Sequence, residues 1–270
     1  MESSETTRFY EANGFVVIEG IVSSQEISQV LGIVNRLALS LIPPSMLNHG
    51  ENPFLWLVRN RRRDAGRLFD CLVKIPEVSQ ILYSQTLQKL GEALLQTDLL
   101  LASPSQMNLR ADHPGEKKFL YPWHHDYAYN CSARNSVVFW IPLHEVDEVN
   151  GCLHVIPGSH RLHAEINIKD ATNGKNSAEL FSVSNIGHIL KHNPDVRVPM
   201  KAGSALAFSG LLLHKSGANR SDHTRFAFQS RWFDGLAEDA VSNRWRGGID
   251  EGRPPGDYLL NAFSGRGAAI

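Results

Sequence analysis

The sequence predicts an all-β core with flanking helices, in the form of a double-stranded β-helix, the jelly-roll or cupin-like barrel. Its 270 residues, 42% of them hydrophobic, suffice for one domain with a substantial core. From Leu99 onward, short apolar runs alternate with Gly, Pro, Asn and Asp. Short strands separated by turn signals are typical of such barrels.

Helix and strand signals divide the chain into two unlike parts. Phe9–Gly14 reads as the end of a short helix, Phe15–Ile18 as a buried strand, and Ser23 to Glu26 as the cap of a helix with apolar residues at helical spacing. A further helical stretch covers about 75–96. Strands are predicted at Leu99–Leu109, Ser136–Leu143, Cys152–Ile156, Ala205–Phe208 and Arg225–Phe233.

We therefore expect one domain over 1–270. Residues 1–98 form a mainly helical part that packs on the barrel, 99–235 form the barrel core, and 236–270 form a C-terminal extension. A polar insertion at 161–195 is longer than an ordinary connection. Such a segment is predicted to be a lid-like loop.

Charge and cysteine content bound the partners. A formal net charge of −1 favours neither nucleic acid nor an anionic membrane surface. Three cysteines without CxxC spacing, and an N-terminus without the features of a signal peptide, predict a soluble cytoplasmic protein. We expect a small-molecule substrate and a monomer or homodimer, with no nucleic acid and no membrane partner.

The most informative motif is Trp123-His124-His125-Asp126. In extended chain, residues i and i+2 point the same way, so His124 and Asp126 can meet one metal ion. His214 follows an apolar run far downstream and is the candidate third ligand. Two imidazoles and one carboxylate form the facial site that leaves open positions on ferrous iron. An HxD pair alone is also compatible with ordinary surface or core residues.

A second cluster follows His214. Arg225 opens an apolar strand, and a buried guanidinium needs an anion. A cosubstrate carboxylate would satisfy the fork of Arg225, and Ser216 can donate a hydrogen bond to the same group. The alternative is an internal ion pair with a carboxylate such as Asp222.

The chain resembles the phytanoyl-CoA dioxygenase family of Fe(II)- and 2-oxoglutarate-dependent oxygenases. The resemblance rests on blocks in the family's order, which cover most of the chain. These blocks are Phe9–Ile18, Trp123–Asp126, Trp140–Leu143, Asn150–His160 and His214–Ser216 with Asn219 and Arg225.

The resemblance implies that His124, Asp126 and His214 bind Fe(II), and that Arg225 with Ser216 holds the distal carboxylate of 2-oxoglutarate. A side-chain amide before HxD commonly touches the cosubstrate, and Asn108 is the candidate, with Gln106 the runner-up. Dioxygen would be the second cosubstrate, with ascorbate supportive. The family usually has Gln where this chain has His125.

The implied reaction releases succinate and CO2 and oxidises an unactivated C–H bond of a metabolite or biosynthetic intermediate. Related halogenases replace the ligand carboxylate with a small residue, so the intact Asp126 favours hydroxylation. Desaturation, ring closure and demethylation would use the same triad. His125, Tyr127, Trp140 and Trp232 are candidates for substrate contact, although aromatic residues also dominate cores.

The arginine cluster Arg59–Arg63 with Arg67 is compatible with recognition of phosphate or coenzyme A, and also with a solvated helix face. Two other functions remain open. A zinc-dependent hydrolase or lyase accepts the same ligands but gives Ser216 and Arg225 no task. The second alternative is a catalytically silent barrel that only binds small molecules, although such relatives usually lack one of the metal-binding residues.

Overall fold

A computed structural model describes residues 3–46, 50–104, 107–117, 119–130, 132–168 and 181–246. Most helices precede the main run of strands. They are α1 (Ser3–Asn13), α2 (Ser24–Ser40), α3 (Pro53–Asn60), α4 (Arg62–Leu72), α5 (Pro76–Leu82), α6 (Gln85–Leu95), α7 (Tyr127–Asn130), α8 (Ile186–His192) and α9 (Glu238–Ser242). Single 3₁₀ turns lie at Pro44–Met46 and Ser159–Arg161.

Local capping chemistry explains where these helices begin and end. Helix α1 stops before Gly14, whose φ of +77° a side chain would disfavour. Helix α2 starts with a complete capping box between Ser23 and Glu26, as its sequence predicts. The stretch predicted at about 75–96 is helical, but it is not one continuous helix. Ser84 caps a new helix by accepting a hydrogen bond from the Leu87 N–H, so the stretch divides into α5 and α6.

In the described part of the chain, eleven strands form the β portion of the molecule. They are β1 (Phe15–Ile18), β2 (Leu100–Ala102), β3 (Asn108–Asp112), β4 (Ser136–Pro142), β5 (Leu153–Val155), β6 (Ile166–Ile168), β7 (Phe181–Val183), β8 (Val196–Val198), β9 (Ala205–Ser209), β10 (His214–Lys215) and β11 (Arg225–Asp234). The single strand predicted at Leu99–Leu109 is two strands. Pro104, which has no N–H to donate, lies between β2 and β3.

Two sheets enclose the core. The major sheet has the order β1-β9-β4-β11-β2, and β3 pairs with the first half of β11. The minor sheet has the order β10-β5-β8, and β6 pairs with β7 separately. An apolar cluster joins the two sheets, with Trp140 and Phe208 from one and Leu153 and Val155 from the other. The predicted fold class, a mostly β core with flanking helices, is confirmed.

The two faces of the major sheet differ in character. The outer face is apolar and packs against the helices through residues such as Phe139, Phe228 and Trp232. The inner face carries, beside its apolar residues, a polar group from β3 and β11: Asn108, Arg110, Asp112, Arg225, Gln229 and Arg231. Burying a charged group costs free energy unless the group is paired, so this polar group on the inner face indicates a candidate functional site.

The division into 1–98, 99–235 and 236–270 remains a prediction, as does the lid. Both described flanks of the 161–195 insertion pack inward, since Ala164, Val183 and Ile189 share a cluster with Ile156 and Leu213. Residues 169–180 and 247–270 lie outside the described part of the chain. Across the described residues, no helix combines the length and apolarity that a membrane crossing requires.

Candidate metal centre

His124, Asp126 and His214 come together and are buried. One ligand atom from each lies within 4.8 Å of the others. The Nε2 atoms of both histidines lie 3.5 Å from the same oxygen, Oδ1 of Asp126. His214 is on the minor sheet, and a two-way backbone bridge joins it to His124, with N–H to O distances of 3.0 and 2.9 Å.

Backbone hydrogen bonds orient both imidazoles for metal binding. Nδ1 of His124 lies 2.7 Å from the carbonyl oxygen of Pro122, and Nδ1 of His214 lies 2.9 Å from that of Leu212. A carbonyl oxygen only accepts, so each Nδ1 carries the proton and each Nε2 keeps a lone pair. Two lone pairs that face a carboxylate oxygen suit a cation, and the donor set therefore fits a divalent metal.

The electrostatics of the triad keep the acceptors available. Burial alone would raise the pKa of Asp126, but Arg231 and the histidines outweigh it, so this pKa lies well below its ordinary value. Burial, followed by the neighbouring His214, lowers the pKa of His124. The carboxyl is thus ionised and His124 neutral at pH 7, which are the forms that bind metals.

Arg231 is a contact of the triad that the sequence did not single out. Its Nε donates to Oδ2 of Asp126 at 2.8 Å, and both side chains are buried. Strand alternation was the available signal, because Arg231 shares with Arg225 the inner face of β11.

Arg225 is fully buried and does have an internal carboxylate partner, but that partner is Asp112. Nη2 of Arg225 donates to Oδ2 of Asp112 at 2.7 Å, and the guanidinium lies over the Trp140 ring, 5.4 Å from its centroid. Asp222, the partner considered from sequence, is fully exposed beside His223. Within the described residues, Nε and Nη1 of Arg225 are buried without a hydrogen-bond acceptor. These two donors make Arg225 a candidate anion receptor.

Asp112 lies between two arginines. Besides Arg225, it accepts from Arg110, whose Nε lies 2.9 and 2.8 Å from its two oxygens. Burial alone would raise the pKa of Asp112, but the two guanidinium groups lower it well below its usual range. Arg110 is also close enough to Asp126 for their charges to interact. The cluster therefore links the metal ligand to Arg225.

The other predicted cosubstrate residues have mixed outcomes. Asn108 lies on the inner face of β3, opposite Gln229 of β11 and on the same face as Arg110. Ser216 is half-buried, and its N–H donates to the carbonyl of Tyr121 at 3.1 Å. Gln106 lies outside the described residues.

The substrate candidates do not form one group. His125 and Tyr127 are buried next to the triad in sequence, and burial together with His124 lowers the pKa of His125 to about 3. Trp140 lies on the inner face beside Arg225. Trp232 lies on the opposite face of β11, where its indole N–H donates to Ser230 at 2.7 Å and its ring contacts Tyr83. The structure thus places Trp232 against the helices, away from the inner face.

An aromatic wall beside His124 was not anticipated. The rings of Tyr121 and Tyr129 lie 5.2 and 5.4 Å from the His124 imidazole. Phe181 packs edge-on against Tyr129 at 4.5 Å. No spacing rule connects these residues, and only the fold brings them together.

The Arg59–Arg63 cluster is partly paired. Nη2 of Arg62 lies 2.5 Å from Glu116, and Nη1 of Arg61 donates to the carbonyl oxygen of Leu41 at 3.2 Å. These contacts favour a solvated face over a built anion site.

A buried group of two histidines and one carboxylate within a β core is the donor set of a candidate facial metal centre. The phytanoyl-CoA dioxygenase family profile matches residues 10–227. The chain belongs to this family.

Curated relatives agree with that assignment. The peroxisomal phytanoyl-CoA dioxygenase of Bos taurus is 25% identical over 237 residues, which are 86% of this chain and 68% of that protein. A phytanoyl-CoA dioxygenase domain-containing protein 1 homolog of Caenorhabditis briggsae is 23% identical over 264 residues, which are 83% of this chain and 88% of the relative.

Solved structures share the fold. The epimerase SnoN, in complex with Fe3+, alpha ketoglutarate and nogalamycin RO, has a TM-score of 0.63 and 20% identity, with 99% of this chain and 92% of that one covered. EctD from S. alaskensis with 2-oxoglutarate and 5-hydroxyectoine has a TM-score of 0.55 and 16% identity, with 93% and 81% covered. At these identities the likeness concerns the fold alone.

Proposed function

We propose that the protein is a non-haem Fe(II)- and 2-oxoglutarate-dependent dioxygenase. In this proposal it oxidises a C–H bond of a small-molecule metabolite or biosynthetic intermediate and releases succinate and CO2. The observation that carries it is the buried triad, in which two histidine Nε2 lone pairs face one oxygen of Asp126. Membership of the phytanoyl-CoA dioxygenase family supports it.

The donor set and its surroundings support iron as the metal. Ferrous iron is the metal typical of two histidines and one carboxylate with open positions. Catalytic zinc sites accept the same three ligands, but the two buried donors of Arg225 that lack an acceptor in the described chain favour iron with a carboxylate cosubstrate. When bound, iron with 2-oxoglutarate and dioxygen supplies the oxidant that removes hydrogen from a substrate carbon. The residues of this chain bind, orient and shield that chemistry.

Arg225 is proposed to bind the distal carboxylate of 2-oxoglutarate. Its unpaired Nε and Nη1 can donate to an anion while Nη2 stays on Asp112. Ser216 and Asn108 are proposed as further hydrogen-bond partners of the cosubstrate, with Gln106 as the alternative amide. Ascorbate is expected to support turnover by keeping the iron reduced.

Hydroxylation is the outcome we propose, because Asp126 is intact and leaves no ligand position for a halide. The solved structures with this fold include an epimerase and a carbocyclase, so product identification is part of the test. His125, Tyr127 and Trp140 are proposed to contribute to the substrate side of the site.

The testing experiment is a screen for succinate release from 2-oxoglutarate with Fe(II), ascorbate and dioxygen, against metabolites, biosynthetic intermediates and acyl thioesters. We expect substrate-dependent succinate in the wild type and none in His214→Ala. His192→Ala, an exposed histidine on α8, is the matched control and should retain activity.

Two outcomes would replace the proposal. Substrate turnover with zinc, without dioxygen and without succinate, would indicate a hydrolase or lyase. Tight binding of 2-oxoglutarate without succinate from any substrate would indicate a silent binding barrel.

A further inference from the structure

The Asp126 carboxylate has its two oxygens in different environments. Oδ1 faces Nε2 of His124 and of His214, each at 3.5 Å. Oδ2 accepts the hydrogen bond from Nε of Arg231 at 2.8 Å. A metal ion among the three ligands would therefore meet one carboxylate oxygen, while Arg231 occupies the other.

The position of Arg231 is fixed by the sheet. It lies on β11, which pairs with β4 on one side and with β2 and β3 on the other, and its register partner on β4 is Val138. Only 7% of the residue is exposed. Burial of the Arg231 side chain limits how far its planar guanidinium can move, so its hydrogen bond restrains the rotation of Asp126.

We propose that Arg231 is a positioning residue that keeps Asp126 a one-oxygen ligand of the metal. A carboxylate that used both oxygens would take an extra position on the metal, one that the two chelating atoms of 2-oxoglutarate or dioxygen need. The inference rests on the proposed function, because it assumes a metal at the triad. The HxD motif by itself does not predict the hydrogen bond from Arg231 to Asp126.

A charge-balancing role and a space-filling role for the Arg231–Asp126 pair lead to different results. If Arg231 only balances the charge of Asp126, its removal strengthens the binding of a divalent cation, because a nearby positive charge is lost. If the pair only fills the core, its removal lowers stability and leaves metal binding unchanged.

The experiment is an anaerobic titration of the purified full chain with Co²⁺ alone, followed by the visible absorption spectrum of the metal. The variants are Arg231→Gln, which removes the charge and the Nε–H donor to Asp126, and Arg231→Lys, which keeps the charge and replaces the guanidinium by an ammonium group. Ser230→Ala is the matched control. Its hydroxyl is buried on the opposite face of β11 and donates to the carbonyl of Leu82 at 2.7 Å.

We expect both Arg231 variants to bind Co²⁺ about ten- to a hundredfold more weakly, the range typical of residues that orient metal ligands. Their spectra should change, because Asp126 can then present its second oxygen. Ser230→Ala should lower the urea midpoint while its Co²⁺ affinity and spectrum match the wild type.

Tighter or unchanged Co²⁺ binding in Arg231→Lys, with a wild-type spectrum, overturns the inference and leaves the proposed function intact. If Arg231→Gln does not fold, the Lys variant alone decides. If wild type and His214→Ala bind Co²⁺ equally, the metal centre itself is wrong, and both the inference and the proposed function fall.

Discussion

Replacement of Arg225 by lysine tests the anchoring of the cosubstrate. The guanidinium is 1% exposed, lies 2.7 Å from Asp112 and has two buried nitrogens without an acceptor in the described chain. Lysine keeps one positive charge but offers a single ammonium group in place of a planar fork. The ammonium can serve Asp112 or 2-oxoglutarate well, but not both.

The magnitude follows from the bond that is lost. A hydrogen bond to a charged group contributes about 1.5–3 kcal/mol, and each 1.4 kcal/mol is a factor of about ten in affinity. We therefore expect Arg225→Lys to weaken 2-oxoglutarate binding about ten- to a hundredfold, with kcat at saturation changed much less. The Co²⁺ affinity should stay near that of the wild type.

The assay is calorimetric titration of the anaerobic Co²⁺-loaded protein with 2-oxoglutarate, together with the KM for 2-oxoglutarate in the succinate assay. Arg220→Lys is the control, because Arg220 is exposed and its guanidinium donates to the backbone oxygen of Glu148, at 3.1 Å. Equal 2-oxoglutarate affinity in Arg225→Lys and the wild type would refute the reasoning. Arg225 would then serve only as the partner of Asp112.

Three further predictions concern the surroundings of the site. Asp112→Asn should lower the free energy of unfolding by about 3–5 kcal/mol, because it leaves the buried charge of Arg225 without a counter-charge. Added 2-oxoglutarate should raise the Tm of this variant more than that of the wild type, and equal increases would contradict the prediction. Burial, with a nearby arginine, lowers the pKa of His113 from 6.5 to about 4, so the free energy of unfolding should fall by up to about 3 kcal/mol as the pH drops from 6.5 to 4. The urea midpoint of His113→Gln should depend less on pH in this range than that of the wild type, and identical pH curves would exclude a contribution from His113. Gly151→Ala should lower the free energy of unfolding by about 1–3 kcal/mol, because the backbone φ of +89° disfavours a side chain. The loss should be greater still, because the new Cβ would lie 2.5 Å from the Gly217 carbonyl oxygen. A urea midpoint equal to that of the wild type would contradict this close approach.

The parts of the fold that sequence could predict are those with local signals. The capping box at Ser23 and the short apolar runs of β4, β9 and β11 follow from rules that act within a few residues. The pairing of β1 with β9 joins distant segments and has no local signature. The break at Pro104 was visible in the sequence, but apolar residues on both sides favoured a single strand.

The site shows the same division. His124 and Asp126 are close enough for spacing to predict them. His214 lies far downstream, and its choice among the twelve histidines of the chain depended on the apolar run before it and on the family resemblance. The carboxylate partner of Arg225 is Asp112, on a strand more than a hundred residues earlier, so nearness in sequence favoured Asp222 without physical reason. Side chains alternate between the two faces of β11, so Arg231 and Trp232 point to opposite faces. This rule, applied to the sequence, would have placed Trp232 on the face that packs against the helices.

The reciprocal main-chain hydrogen bonds between His124 and His214 hold two of the proposed ligands together through the backbone and need no metal ion. Zinc fingers, by contrast, fold only when their ion binds. We expect the backbone around this centre to stay folded when a chelator removes the metal. Protein that has lost its iron in a cell would then regain activity on binding a new ion, without refolding.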